Sequence, residues 1–193
     1  MRLALKVPEA AADSIVVDHS IVQTAPGHAE LEPPACSRSE LVAMLSREHR
    51  FSSLRLDELS GPELDKLARF ARVCRARAGS VVFEEGARDP YLCLIVDGEI
   101  EIRKQDGSRA ARVLVTLGPG KLLGEMALLD GEPRSASAVA VADATLVIVT
   151  QGDFDRLLEE FPGFGVKLLR RLARLVSARL RDTAGRLVDH LPA

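Results

Sequence analysis

The chain has 193 residues, 47% of them hydrophobic, and 26 basic against 28 acidic side chains leave a net charge of −2. That suffices for one ordinary core and gives no overall electrostatic footprint for nucleic acid or an anionic membrane. No apolar run reaches the length of a membrane span, and Met1–Pro8 is too short and too interrupted for a secretory signal.

In chain order, residues 1–38 are the least legible part. Ser14-Ile15-Val16-Val17 is cut off from the rest by Pro26-Gly27 and Pro33-Pro34, which predicts a loosely ordered extension, with a docking element for a partner as the alternative. Ser39 is a plausible N-cap for a helix through Glu40–Leu45. Ser60-Gly61-Pro62-Glu63 has capping-box spacing with Pro in the first turn, and leads into Leu64, Leu67 and Phe70 at helical period.

The period then changes. From Val81 to Val149 the apolar runs are short, β-branched and punctuated by glycine, the pattern of a many-stranded antiparallel roll. Asp106-Gly107, between Glu99–Ile102 and Arg112–Val115, is the strongest hairpin signal. Helix resumes at Gly152, breaks at Pro162-Gly163 and continues to about His190. Leu169, Leu172, Val176 and Leu180 form one stripe on this last helix, widened by Leu168 and Leu175. The predicted fold is mainly β with flanking helices: a jelly-roll-like antiparallel β-roll at about 75–150, N-terminal helices, and C-terminal helices at about 152–190.

The candidate chemistry lies in Gly124-Glu125-Met126-Ala127-Leu128-Leu129, followed by Pro133-Arg134-Ser135-Ala136. A guanidinium in so apolar a setting is costly unless an anion meets it. Glu125 is one possible partner, which would make the pair a plain structural salt bridge. The other reading is a ligand site. Gly124 lets a ligand approach the backbone, the following helical turn aims N–H groups at an anion, Arg134 supplies a fork for phosphate oxygens and Ser135 a hydroxyl. Glu125, an acceptor only, suits a sugar hydroxyl.

This cassette resembles the phosphate-binding segment of the cyclic nucleotide-binding domain family, whose members include catabolite activator proteins, kinase regulatory subunits and nucleotide-gated channels. The likeness spans about 51–182: Arg77–Gly86 is similar to the family's opening strand and glycine turn, Tyr91–Ile100 to its central strand, and Leu117–Gly120 to the turn before the cassette. Leu122-Leu123 departs from the family, which often has an aromatic there. The resemblance implies a domain over 39–193 that binds a cyclic nucleotide at Gly124, Glu125, Met126, Ala127, Arg134, Ser135 and Ala136. It also implies an apolar base wall of Ile102, Leu114, Val115 and Leu117. Ser135 is compatible with cyclic AMP, with cyclic GMP or a cyclic dinucleotide as alternatives.

Other chemistries find little support. His19, His28, His49 and His190 all lie outside 80–150, so histidine builds no metal site in the roll, and no nucleophile–base set has suggestive spacing. Cys36, Cys74 and Cys93 are an odd number without metal-like spacing, which predicts reduced thiols in the cytoplasm. The last helix carries Lys167, Arg170, Arg171, Arg174, Arg179, Arg181 and Arg186, read as a solvated face or as contact with an acidic partner or nucleic acid. The expectation is a non-enzymatic cyclic nucleotide sensor, homodimeric through the last helix, with no membrane insertion. It signals to an unidentified effector, and with few residues after His190 for a DNA-binding domain, it binds no DNA. The alternatives are a ligand-free interaction module and a transcription regulator of the catabolite activator type lacking its DNA-binding domain.

Overall fold

The computed structural model describes residues 36–46, 54–107 and 110–189; the expectations for residues 1–35 lie outside them. Two four-stranded antiparallel sheets face each other, and helices flank one of them. The first sheet has the order β1 (Arg72–Ala76), β8 (Ala144–Thr150), β3 (Tyr91–Asp97), β6 (Leu122–Leu123). The second has the order β2 (Val81–Phe83), β7 (Ser137–Ala140), β4 (Ile100–Gln105), β5 (Ala111–Leu117). The helices are α1 (Arg38–Leu45), α2 (Gly61–Ala68), α3 (Glu125–Asp130), α4 (Gln151–Glu160) and α5 (Pro162–Asp189). No helix of the described residues is long and apolar enough to cross a membrane.

The run Tyr91-Leu92-Cys93-Leu94-Ile95-Val96 is apolar without alternation because both faces of β3 are covered. Tyr91, Cys93 and Ile95 face the second sheet, packing with Val82, Phe83, Ile100, Ala138 and Ala140. Leu92, Leu94 and Val96 face the helices and meet Leu67, Phe154, Leu168 and Leu172. A small apolar cavity of about 30 Å³ remains between the helices and the first sheet, far below the roughly 300 Å³ or more of a small-molecule site. A nucleotide does not fit there.

Several sequence expectations shift by a few residues. α1 is capped by Ser37, not Ser39: the Glu40 amide donates to Ser37 Oγ at 3.3 Å and the Ser37 amide to Glu40 Oε2 at 2.7 Å. β1 begins the roll earlier than expected, in Arg72-Val73-Cys74-Arg75-Ala76, whose Val73 and Ala76 are buried. The β4–β5 hairpin forms, but on a longer loop than Asp106-Gly107 alone suggests. The Asp106 amide donates to the Ala110 carbonyl at 3.0 Å, and Asp106 Oδ1 accepts from the Ala110 amide at 3.1 Å. The ladder slips by one between Ile102 and Arg103; this bulge leaves Leu114 as the extra residue on β5 and re-aims its side chain.

α5 has 28 residues, about 42 Å at 1.5 Å per residue. Its expected apolar stripe divides. Leu168 and Leu172 are core, Leu169 and Leu175 pack partly against it, and Leu180 is 69% exposed. Two basic residues fasten its first half to the N-terminal helices. Lys167 Nζ donates to both Glu63 oxygens at 2.7 and 2.8 Å. Buried Arg171 donates to the carbonyls of Leu54 and Arg55 and to Glu58.

Glu63 also accepts from the Ser60 amide at 2.8 Å. The Lys167 bond first, and the Ser60 amide second, hold its carboxyl down to about 2 from an ordinary 4.5. As pH falls through this window the unfolded chain takes up the proton before the folded protein does, so the stabilisation is complete above 4.5 and is lost between 4.5 and 2. Glu63→Gln is expected to flatten the dependence of the unfolding midpoint on pH in that interval, as read by thermal denaturation from pH 2 to 7.

Candidate ligand-binding site

β6 delivers the chain to Gly124, which takes φ +79° and opens α3. A Cβ at Gly124 would stand 2.6 Å from both Arg134 Nη1 and the Tyr91 carbonyl. Glycine is needed twice here, for the left-handed backbone and for the space that the guanidinium fills. α3 closes at Gly131, and the chain returns through Pro133 to Arg134 and β7.

Arg134 is 3% exposed, with its guanidinium against the rings of Phe83 and Tyr91, 4.2 and 4.3 Å from their centroids. Burial pushes the Tyr91 phenol well above its ordinary value, so this ring is neutral, and its hydroxyl donates to the Val82 carbonyl at 2.5 Å. Nη1 donates to the carbonyls of Tyr91 at 2.8 Å and Gly124 at 3.1 Å, and Nη2 to that of Asp89 at 2.7 Å. A guanidinium has five N–H donors. These bonds use three of them, and Nε is buried with no hydrogen-bond partner. The spare donors include Nε–H, which carries part of the guanidinium charge and suits an oxygen of an anion. The half-exposed Asp89 carboxylate stands 3.9 Å from Nε.

Glu125 is 3% exposed, and its partner is not Arg134. Arg179, from α5, donates to Glu125 Oε1 at 2.5 Å and to the Leu122 carbonyl. The Glu125–Arg134 salt bridge left open by the sequence therefore does not form. The cassette is pinned instead to a helix 54 residues further along the chain.

Of the other residues singled out from sequence, Ala127 and Ala136 are buried, while Met126 and Ser135 are exposed. Ile102 and Leu117 pack partly against the core between the sheets. Leu114 and Val115 are 56% and 40% exposed on β5, the outermost strand of its sheet. The sequence reading missed Arg179, which it assigned to a solvated face, together with Asp89 and the ring pair around Arg134. No local pattern marks them, since each acts on a residue distant in sequence.

The cassette thus carries a buried carboxylate and a buried arginine with an unpartnered Nε on one β-roll. The family model of the cyclic nucleotide-binding domain matches residues 73–161. The chain is 36% identical over 104 residues to the cyclic AMP receptor protein of Thermus thermophilus, covering 54% of this chain and 46% of that one. It is 33% identical over 125 residues to glutaminase 1 of Bradyrhizobium diazoefficiens, covering 63% of this chain and 20% of that one. A cyclic nucleotide-binding domain from Methylobacillus flagellatus shares its fold with a TM-score of 0.68 at 27% identity, covering 81% of this chain and 85% of that one. Residues 73–161 belong to the cyclic nucleotide-binding domain family. The chain spans about half the length of the curated relatives it matches first.

Gly124→Ala is expected to destabilise the protein by at least ~2 kcal/mol, through a positive φ and a collision with backbone and guanidinium. Gly131→Ala, at φ +70° with nothing within 4 Å of the added Cβ, is expected to cost about 1 kcal/mol. Urea denaturation of both variants measures the difference.

Proposed function

We propose that residues 39–193 form a non-catalytic, cytoplasmic cyclic nucleotide sensor, with cyclic AMP as the first ligand. The observation that carries this reading is Arg134 Nε, a charged donor buried without a hydrogen-bond partner, in a place where an anion has reason to bind. The cyclic phosphate takes that donor, displacing the pull of Asp89, with Ser135 at its side. Glu125 gives one oxygen to Arg179 and keeps the other for a ribose hydroxyl. Ile102, Leu114, Val115 and Leu117 form the wall for the base, and the exposure of Leu114 and Val115 supports a surface that awaits cover. Relatives named as cyclic AMP receptor and cAMP-activated regulator support the choice of ligand.

Occupancy is passed on through α5. Its Arg179 touches the carboxylate that receives the ribose, so a ligand that alters Glu125 changes what holds the helix, and this differential contact shifts its equilibrium. Arg170 and Arg174 lie one turn apart, are exposed, and pair with no carboxylate among the described residues. They suit a separate effector with an acidic surface. Val176 and Leu180 supply the contact with a second copy; Leu172, 1% exposed, belongs to the protein's own core and is withdrawn from that seam.

Calorimetric titration with cyclic AMP, cyclic GMP and cyclic dinucleotides tests the site. Arg134→Ala is expected to remove ~1.5–3 kcal/mol of cyclic AMP binding, the worth of hydrogen bonds to a charged group, and Glu125→Ala less, because it meets a neutral hydroxyl. Unaltered binding by a folded Arg134→Ala protein overturns the assignment. For the assembly, light scattering is expected to give a dimer that the pair Val176→Glu and Leu180→Glu converts to a folded monomer.

A further inference from the structure

The end of the cassette is sewn to the turn after β2. The Gly86 amide donates to the Arg134 carbonyl at 2.8 Å, the Arg134 amide to the Ala87 carbonyl at 2.9 Å, and the Glu85 amide to Ser137 Oγ at 2.9 Å. Lys104, on β4, closes this seam. Its Nζ donates to the Ser135 carbonyl at 2.7 Å and to Glu85 Oε1 at 2.8 Å, while Glu85 Oε2 accepts from the Gln105 amide at 3.0 Å. One ammonium thus joins β4, the turn and the cassette.

The Ser135 carbonyl is half of a planar trans peptide, whose other half is the Ala136 N–H, pointing the opposite way. Holding the oxygen therefore fixes the direction of the amide. That amide and the Ser135 amide find no acceptor among the described residues. Ala136 is 7% exposed, and a buried main-chain donor without a partner is the exception in folded proteins. It lies two residues from Arg134, whose Nε is also buried and without a partner.

We infer that Lys104 is a positioning residue for the anion end of the site: by holding the Ser135 carbonyl it presents the Ala136 amide as a further donor to the ligand's phosphodiester. Its charge polarises the same peptide, strengthening the N–H it aims. The inference rests on the cyclic nucleotide reading given above. It adds a residue outside the cassette, on a different sheet strand, to the determinants of affinity. Methionine at 104 keeps the stem and loses the charge. Arginine keeps the charge and can reach both oxygens.

The test uses the full chain with cyclic AMP as probe, comparing the unmodified protein with Lys104→Met and Lys104→Arg by calorimetry and by the ¹H,¹⁵N resonance of the Ala136 amide. Lys104→Met is expected to weaken binding roughly tenfold, the effect of losing a hydrogen bond to a charged group, with Lys104→Arg recovering most of it. In the unmodified protein the Ala136 proton is expected to move downfield on binding. In Lys104→Met that shift is expected to be lost, which a merely structural role for Lys104 does not predict. Binding by Lys104→Met within twofold of the unmodified protein, with the Ala136 shift intact, overturns this inference alone. Failure of the unmodified protein to bind any cyclic nucleotide overturns the underlying reading, and the inference with it.

Discussion

The rest of the site depends on where the Arg134 guanidinium is held. Three main-chain carbonyls, from Asp89, Tyr91 and Gly124, accept from it, and two aromatic rings pack against it. Burying a cation is unfavourable unless its donors are met, and carbonyl dipoles meet it without cancelling its charge. A carboxylate in their place would neutralise the group and leave little for an anionic ligand. Held by neutral acceptors, with the half-exposed Asp89 carboxylate 3.9 Å from Nε and beyond hydrogen-bond reach, Arg134 remains a positive centre at low exposure. There an anion gains more than it would at a solvated surface.

The second organising element is α5, which is fastened at successive levels. Lys167 reaches α2, Arg171 the turn before it, and Arg179 the cassette. The first two contacts tie the helix to the N-terminal segment and the third to the candidate site, so the helix bridges two parts that share no direct sequence neighbourhood. The Lys167–Glu63 pair is partly exposed and contributes modestly. The Arg171 and Arg179 contacts involve buried groups, where stranding either partner costs more. Displacing Arg179 therefore bears on the end of α5, while Arg171 and the core residues Leu168 and Leu172 keep its beginning in place.

The two sheets divide the labour. The first, through β3 and β8, is covered on both faces and provides the rigid floor from which Tyr91 and the Asp89 carbonyl are presented. The second carries the Lys104 seam and ends in β5, whose Val113, Leu114 and Val115 stand more than a third exposed at its edge. The bulge at Leu114 turns an apolar side chain away from the regular ladder, and bulges of this kind commonly sit beside binding sites.

What was legible in the sequence is local. The cap at Ser60, the break at Pro162, the short glycine-punctuated apolar runs that predict the roll and the glycine needed at 124 each follow from interactions within a few residues, and those are the elements that form. The glycine-and-arginine cassette was readable as a segment, because Gly124, Glu125 and Arg134 lie within eleven consecutive residues. The small misplacements, Ser37 for Ser39 and β1 beginning at Arg72, are boundary choices between near-equivalent local signals. Pairing across the fold was not legible. Arg179 and Glu125 are 54 residues apart, and Arg134 and the Asp89 carbonyl 45. In sequence, Arg179 is one cation among several on a basic helix, and only the packing of α5 across the roll selects it. The same holds for Leu172, which periodicity placed on an intermolecular seam and burial placed in the core. Periodicity states which residues share a face; which surface covers that face is decided by the chain's long-range packing, and no local pattern encodes it.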